Sequence, residues 1–532
     1  MYLVVINTAG KQRYIFSSRK RKEIVGASDL IVRVNGSWAE DALATTFPGF
    51  HEEWRLKDGH AVELITASAG MVTALVREAD AGRRLVTELT RRALREAPGL
   101  DVCGVVQEVI EGESLPASRE RAGKALAALQ EGRPGPQARF LRLPLVADCQ
   151  STGLPASGLR REAPDEPLVT RSAASVAKLA HFPAALKRLA EVALTTPQTM
   201  SKIVDSLGLR ADWVAVVHAD GNGFGQLFRE IGKGGLDGAV SPRGEVDATY
   251  LEELRALSRG VDRCALKAFH LALDRLAAEQ SRWNVEGRPL VLPLVLGGDD
   301  LTVLCHGEVA LSFTRHYLEE FERETEHDST LRPALDRAGL PRLTAAAGVA
   351  IVKRNYPFRF AYDLAEELIT SEAKQVKEWT SAMAFAVLME SSAPDLTRFR
   401  KSIMASGGAA ASASPYIVGA GSEDPRAKGR RWSDLEGRVA ALGRKDARSG
   451  EPLVPSGAAH DLREGLCLGV DVANARLGLL RTRFAGDLNR LRALDELGDD
   501  SGRLVWDHEG TLVTGLVDAM AAAPFITGGG VR

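Results

Sequence analysis

One order of elements, occurring twice, constrains what this chain can fold into more than any other feature. Residues 2–6 are apolar and strand-like, 20–31 and 38–46 carry helical spacing, and 60–76 (HAVELITASAGMVTALV) reads as two strands about 67–70. A helix over 79–97, with apolar residues three and four apart, and a strand over 100–109 complete the unit. The order returns as a strand at 213–218, a helical stretch at 250–279, a hairpin at 294–305, a helix at 308–326, a strand at 344–352 and a helix at 359–379. Such an order suits a ferredoxin-like palm, an antiparallel sheet with helices on one face. The expected fold is α+β: two ferredoxin-like, nucleotide-cyclase-like palms with helical insertions and a helical C-terminal region.

The two copies differ where chemistry would sit. In the first, the strand ends in Ile6, Asn7 and Thr8, and the hairpin tip reads Ser68, Ala69 and Gly70, with no carboxylate. In the second, residues 213–225 (WVAVVHADGNGFG) place Asp220 at the end of an apolar run. Residues 293–304 (PLVLGGDDLTVL) place Asp299 and Asp300 at a hairpin tip, after Gly297 and Gly298. Those glycines permit the turn and leave room for a ligand against the backbone. Aspartates are hard oxygen ligands suited to Mg²⁺. Carboxylates that bridge two such ions roughly 3.5–4 Å apart, against a triphosphate, are what nucleotidyl transfer requires.

Asp220, Asp299 and Asp300 are therefore expected to hold two Mg²⁺ or Mn²⁺ ions. Gly221, Asn222, Gly223, Phe224 and Gly225 form a turn whose N–H groups are expected to cradle phosphates at the start of a helix, with Gly297 and Gly298 completing the nucleotide site. Lys374, on the helix after the last strand, is expected to offset charge developing on the triphosphate. Each motif has a duller reading, since DGNG and GGDD both make ordinary turns. Their corresponding places in a palm order are what favour chemistry. The pairs His327–Asp328 and His460–Asp461 would suit a metal phosphohydrolase only with further ligands on other helices, and no such set stands out.

With 68 Lys and Arg against 70 Asp and Glu, the formal charge is −2, which gives no reason to expect a non-specific nucleic-acid coat. The basic clusters at 19–22 and 426–431 read as solvated faces. Five cysteines without paired spacing suggest neither disulfides nor a zinc knuckle. No leader and no long apolar run is evident, so a cytoplasmic protein away from membranes is expected. The expected domains are a degenerate first palm over 1–115, an inter-palm insertion over 116–195, a second palm with the acids over 196–391, and a mainly helical region over 392–532. The stretch 232–237 (GKGGLD) reads as a flexible insertion, 407–414 (GGAAASAS) as a border, and 527–532 as a disordered tail.

These residues resemble a known family, the large polymerase/cyclase-like subunit of type III CRISPR effectors, which carries two palms. Residues 14–31 (YIFSSRKRKEIVGASDLI) resemble the opening of its first palm, and 149–156 (CQSTGLPA) a segment between the palms. Residues 220–225, 297–300 and 348–374 resemble its second palm. The resemblance implies conversion of ATP into cyclic oligoadenylate messengers in antiviral defence, with Asp299 and Asp300 as the GGDD acids and Asp220 as the first-strand acid. The family's His-Asp nuclease domain is not seen, so DNA cleavage is not implied. Nucleoside triphosphates are the expected partners; RNA, other effector subunits and self-association stay open. Two alternatives also stay open. One is a GGDEF-type cyclic-dinucleotide synthase, although Leu301 follows Asp300 where that family has an acid and an aromatic residue. The other is a non-catalytic, RNA-binding scaffold subunit.

Overall fold

Both copies of the repeated order build the same four-stranded antiparallel sheet. The computed structural model describes residues 1–532 except 69, 162–164, 166, 210, 226, 228–229, 232–247, 280–283, 390–395, 397–399, 401–411, 500 and 527–532. The expected insertion at 232–237, most of the border at 407–414 and the tail at 527–532 lie outside the described residues. In the first palm the strands are β1 (Tyr2–Ala9), β2 (Val62–Ser68), β3 (Met71–Val76) and β4 (Asp101–Glu108), in the order β2-β3-β1-β4. Its helices are α1 (Lys11–Phe16), α2 (Arg21–Asn35), α3 (Ser37–Thr46) and α4 (Ala79–Glu96). Helix α4 shows the amphipathic logic plainly: Leu85, Leu89 and Ala93 recur at four-residue spacing and are buried, while its arginines face water.

Four helices lead on: α5 (Leu115–Glu131), α6 (Ala173–Ala180), α7 (Phe182–Val192) and α8 (Pro197–Leu209). The second palm then comprises β5 (Trp213–Gly221), α9 (Ala248–Glu279), β6 (Val291–Gly297), β7 (Asp300–His306), α10 (Gly307–His327), β8 (Ala345–Lys353), α11 (Phe358–Ser371) and β9 (Ser381–Leu388). Its sheet runs β6-β7-β5-β8, as in the first palm, and is extended by β9, parallel to β8, and by β10 (Tyr416–Val418). Both hairpins carry a one-residue bulge at the same place, between Leu64 and Thr66 in one and between Pro293 and Val295 in the other. Beyond β10 the chain is mainly helical, with a second core around Leu462, Leu477 and Leu494. No described helix is long and apolar enough to cross a membrane.

One expectation needs correcting. Helices were expected on one face of each sheet, yet β8 and β9 are buried along nearly their whole length, so the second sheet is covered on both faces. Helix α11 lies so close to β8 that a Cβ on Gly348 would fall inside the Ala365 carbonyl. Gly348→Ala is expected to cost about 2–3 kcal/mol by overpacking, read as a lowered urea midpoint. An unchanged midpoint would show that α11 can lift away.

The palms pack reciprocally. Ser28 on α2 donates to the Leu294 carbonyl within the second palm's bulge, and Arg255 on α9 donates through Nε to the Leu64 carbonyl beside the first palm's bulge, at 3.1 Å. Each palm thus seats its first long helix on the other's hairpin, and the Phe16 and Tyr362 rings stack between them at 5.3 Å.

Candidate functional site

The three acids gather at one end of the second sheet because of its strand register. Asp220, near the end of β5, pairs directly with Asp300, the first residue of β7. Gly298 and Asp299 form the two-residue turn between Gly297 and Asp300, with Gly298 at φ +62°, a conformation that glycine adopts without strain. The Gly221 N–H donates to the Asp299 carbonyl at 3.1 Å, fixing the tip against the end of β5. A Cβ on Gly221 would lie 2.7 Å from the Asp299 Cβ and inside the Phe224 ring, so this position needs glycine for close approach.

The first palm repeats this scaffold without the acids. Asn7 pairs with Met71 as Asp220 pairs with Asp300, and Thr8 donates to the Gly70 carbonyl at 2.8 Å as Gly221 does to Asp299. Register therefore sets Asn7, Gly70 and Met71 where the second palm has Asp220, Asp299 and Asp300.

Each outer acid meets a lysine. Lys374 Nζ ion-pairs with Asp220 Oδ2. Lys374 stands in the 3₁₀ turn Ala373–Val376 after α11, not on the helix itself as expected, and this tighter turn aims it back at the sheet end. Lys11 of the first palm reaches Asp300 Oδ2 at 3.0 Å, and Gln12 Nε2 joins it at 3.1 Å. Sequence reasoning missed Lys11, Gln12 and also Asp262 on α9, which accepts from Ser68 Oγ at 2.9 Å and from the Gly298 N–H. Asp262 thereby ties the tips of both hairpins together. The repeat itself was the available signal, since it places Gly10–Lys11 where the second palm has Gly223–Phe224.

Asp299 stands between these ion pairs. Burial first, and the neighbouring Asp220 and Asp300 next, push its carboxyl up to about 6, against a smaller pull from Lys11. A raised folded-state value favours the protonated form, so this stabilisation is full below about pH 4 and is lost as pH rises through about 6. Asp299→Asn, which removes the charge, is expected to stabilise the metal-free protein at about pH 8 by on the order of 2 kcal/mol, with no gain near pH 4. Thermal melts in EDTA at both pH values check this. A lower melting temperature for the variant at the higher pH would contradict it.

The phosphate turn is smaller than expected. The Gly221 N–H is spent on Asp299, and the Asn222 N–H donates to the Thr344 carbonyl at 2.8 Å. The Asn222 side chain is buried and donates to Thr344 Oγ1 at 3.0 Å, and the Phe224 ring is buried in the core. These two side chains anchor the turn, leaving the exposed Gly223 and Gly225 to meet a ligand.

Among the described residues no three His, Cys, Asp or Glu side chains form a metal cage. Asp300 Oδ1 is nevertheless buried and accepts no hydrogen bond, and Asp299 is under repulsion from its acidic neighbours. A pair of carboxylates suits Mg²⁺, which keeps several non-protein ligands; Asp220 and Asp299 could hold it, with Asp300 beside them.

Residues 213–382 match the family model "Cas10/Cmr2, second palm domain". No curated protein matches the chain. Solved structures similar to it include the Csm1–Csm4 cassette in complex with cA3, at 13% identity and TM-score 0.46, covering 92% of this chain and 64% of that one. The Type III-B Cmr-beta apo structure matches at 10% identity and TM-score 0.42, covering 72% and 69%. The apo Csm1–Csm4 cassette matches at 12% identity and TM-score 0.41; this chain spans 54% of its length. Over residues 213–382 the chain therefore carries a palm similar to the second palm domain of the Cas10/Cmr2 family.

Proposed function

We propose that the chain is a nucleotidyltransferase that joins ATP into cyclic oligoadenylates, with its reaction centre at Asp220 and Asp299 and with Asp300 and Lys374 in support. One observation carries the reading: the acids converge at the end of the second sheet, while the matching register positions of the first hold Asn7, Gly70 and Met71. A purely structural duplication gives no reason to collect like charges at one tip only, because their mutual repulsion costs stability.

Bound Mg²⁺ or Mn²⁺ would supply Lewis acidity to the triphosphate and lower the pKa of the attacking hydroxyl. The chain's own residues bind and orient. The N–H groups of Gly223 and Gly225 receive phosphate oxygens at the start of a helix. Lys374, already at the site, balances negative charge that builds on the leaving pyrophosphate. In each cycle a 3′-hydroxyl oxygen bonds to an α-phosphorus, the α–β anhydride bond breaks, pyrophosphate leaves, and the hydroxyl proton passes to water. Lys11 and Gln12 hold the first palm against Asp300, so that palm forms one wall of the space where the acceptor nucleotide must lie. Holding acceptor and donor together is worth several kcal/mol of a barrier.

The test is incubation of the full chain with each nucleoside triphosphate and Mg²⁺ or Mn²⁺, with and without RNA, followed by mass spectrometry of the products. Rings of adenylate support the proposal. A cyclic dinucleotide alone would favour the GGDEF-type reading, and no product under any condition would favour the scaffold.

A further inference from the structure

A strongly basic cavity lies at the opposite end of the second sheet from the acids. Strand β8 pairs Ala346 with Asp220 at the acidic end and Lys353 with Trp213 at the other, where Arg354 follows. Seven residue steps of strand separate the two places by roughly 23 Å. The cavity, of about 1020 Å³, is lined by Arg19–Lys22, Arg160, Arg161 and Arg354, against one carboxylate, Asp205. Seven cations from three separate segments thus converge in a chain whose formal charge is only −2.

Among the described lining residues Asp205 is the one carboxylate set against these cations. Arg21 and Lys22 occupy the first turn of α2, where the positive end of the helix dipole disfavours cations. Glu23, in the same turn, is fully buried and faces away, accepting from Ser18 at 2.6 Å and from Ser175 at 2.8 Å. The Arg21 guanidinium lies close against Gly208, where any Cβ would strike it, and Arg354 donates to the Leu209 carbonyl at 3.3 Å. Burial first, and the nearby Arg354 next, lower the Arg21 pKa, against a smaller upward pull from Asp205. Helix α11 also begins at this cavity, at Phe358, so a second helix N-terminus adds its positive potential. Cations held this close, against their own repulsion, are matched to an anion.

We propose that this cavity binds the phosphodiester backbone of a single-stranded nucleic acid, at a site separate from the acids and independent of the catalytic reading. The spread of the cations over three segments suits a string of phosphates better than one compact anion. Recognition is of backbone and not of sequence, because the two aromatic rings at the cavity, Tyr356 and Phe358, are buried and offer no face on which a base could stack.

The test uses the full chain, fluorescence anisotropy with labelled single-stranded RNA and DNA of one sequence, and a salt series. The variant is Arg19→Ala/Lys22→Ala/Arg160→Ala, three exposed cations whose loss should leave the melting temperature and the RNA-independent activity unchanged. Both strands are expected to bind the wild type. The variant should lose at least about tenfold in affinity, and its plot of log K against log salt should be shallower by about 2, close to 0.7 for each lost phosphate contact. Wild-type protein that binds neither strand, or a variant with unchanged affinity and slope, would overturn the proposal. Binding of RNA alone would overturn backbone recognition. Displacement of the strand by tripolyphosphate at equal concentration would reassign the cavity to a small anion.

Discussion

Asp299→Ala should abolish oligonucleotide formation, by about a thousandfold or more, because several kcal/mol of transition-state stabilisation depend on the group that its carboxylate helps to hold. The backbone at this tip does not need the carboxylate: Gly298 supplies the turn, and the Asp299 carbonyl, which any residue keeps, accepts from Gly221. The variant should therefore melt no lower than wild type without metal, since it also relieves the repulsion from Asp220 and Asp300. Asp300 is different. Its carboxylate also receives Lys11 and Gln12 of the first palm, so Asp300→Ala should lose stability as well as activity, and only the Asp299 variant separates chemistry from packing. Product analysis alongside thermal melts checks both statements, and a fully active Asp299→Ala protein would remove the proposed reaction centre.

Lys374→Ala should lower kcat by about a hundredfold, roughly 2.7 kcal/mol, while shifting KM for ATP much less. Its ammonium is the cation paired to Asp220, and the 3₁₀ turn after α11 fixes it there. Lys374 is partly exposed, so its ion pair contributes little to global stability, and the melting temperature should move by no more than a few degrees. Steady-state kinetics give the readout. A kcat within about twofold of wild type would mean that the ammonium only steadies Asp220 and does not meet charge in the transition state.

Much of the fold was legible because the signals are local. Alternation of apolar residues, the glycines at 297 and 298, and helical spacing in α4 mark strands, turn and helix within short windows. The acids were legible for the same reason: each ends a strand or tips a hairpin. What stayed hidden depends on contacts between distant residues. Lys11 and Asp300 stand 289 residues apart, and Ser68 and Asp262 stand 194 apart, so their meeting follows only from how the palms dock. The second sheet's covering on both faces follows from how α10 and α11 pack against β8, which no short window of sequence records. Phe224 reads as part of a phosphate turn, yet an aromatic side chain beside a glycine gap buries more area by filling the core. The cluster at 19–22 reads as a solvated face until Arg160, Arg161 and Arg354 come to stand beside it.

In the proposed mechanism one palm holds metal and nucleotide and the other only shapes the site. Anomalous scattering from crystals of the full chain grown with Mn²⁺ and a non-hydrolysable ATP analogue tests it most directly. Manganese is expected on the carboxylates of Asp220 and Asp299, with the triphosphate against Gly223 and Gly225 and no metal beside Asn7 and Gly70. Manganese at Asn7 and Ser68 of the first palm, or a nucleotide bound away from Asp220 and Asp299, would contradict it.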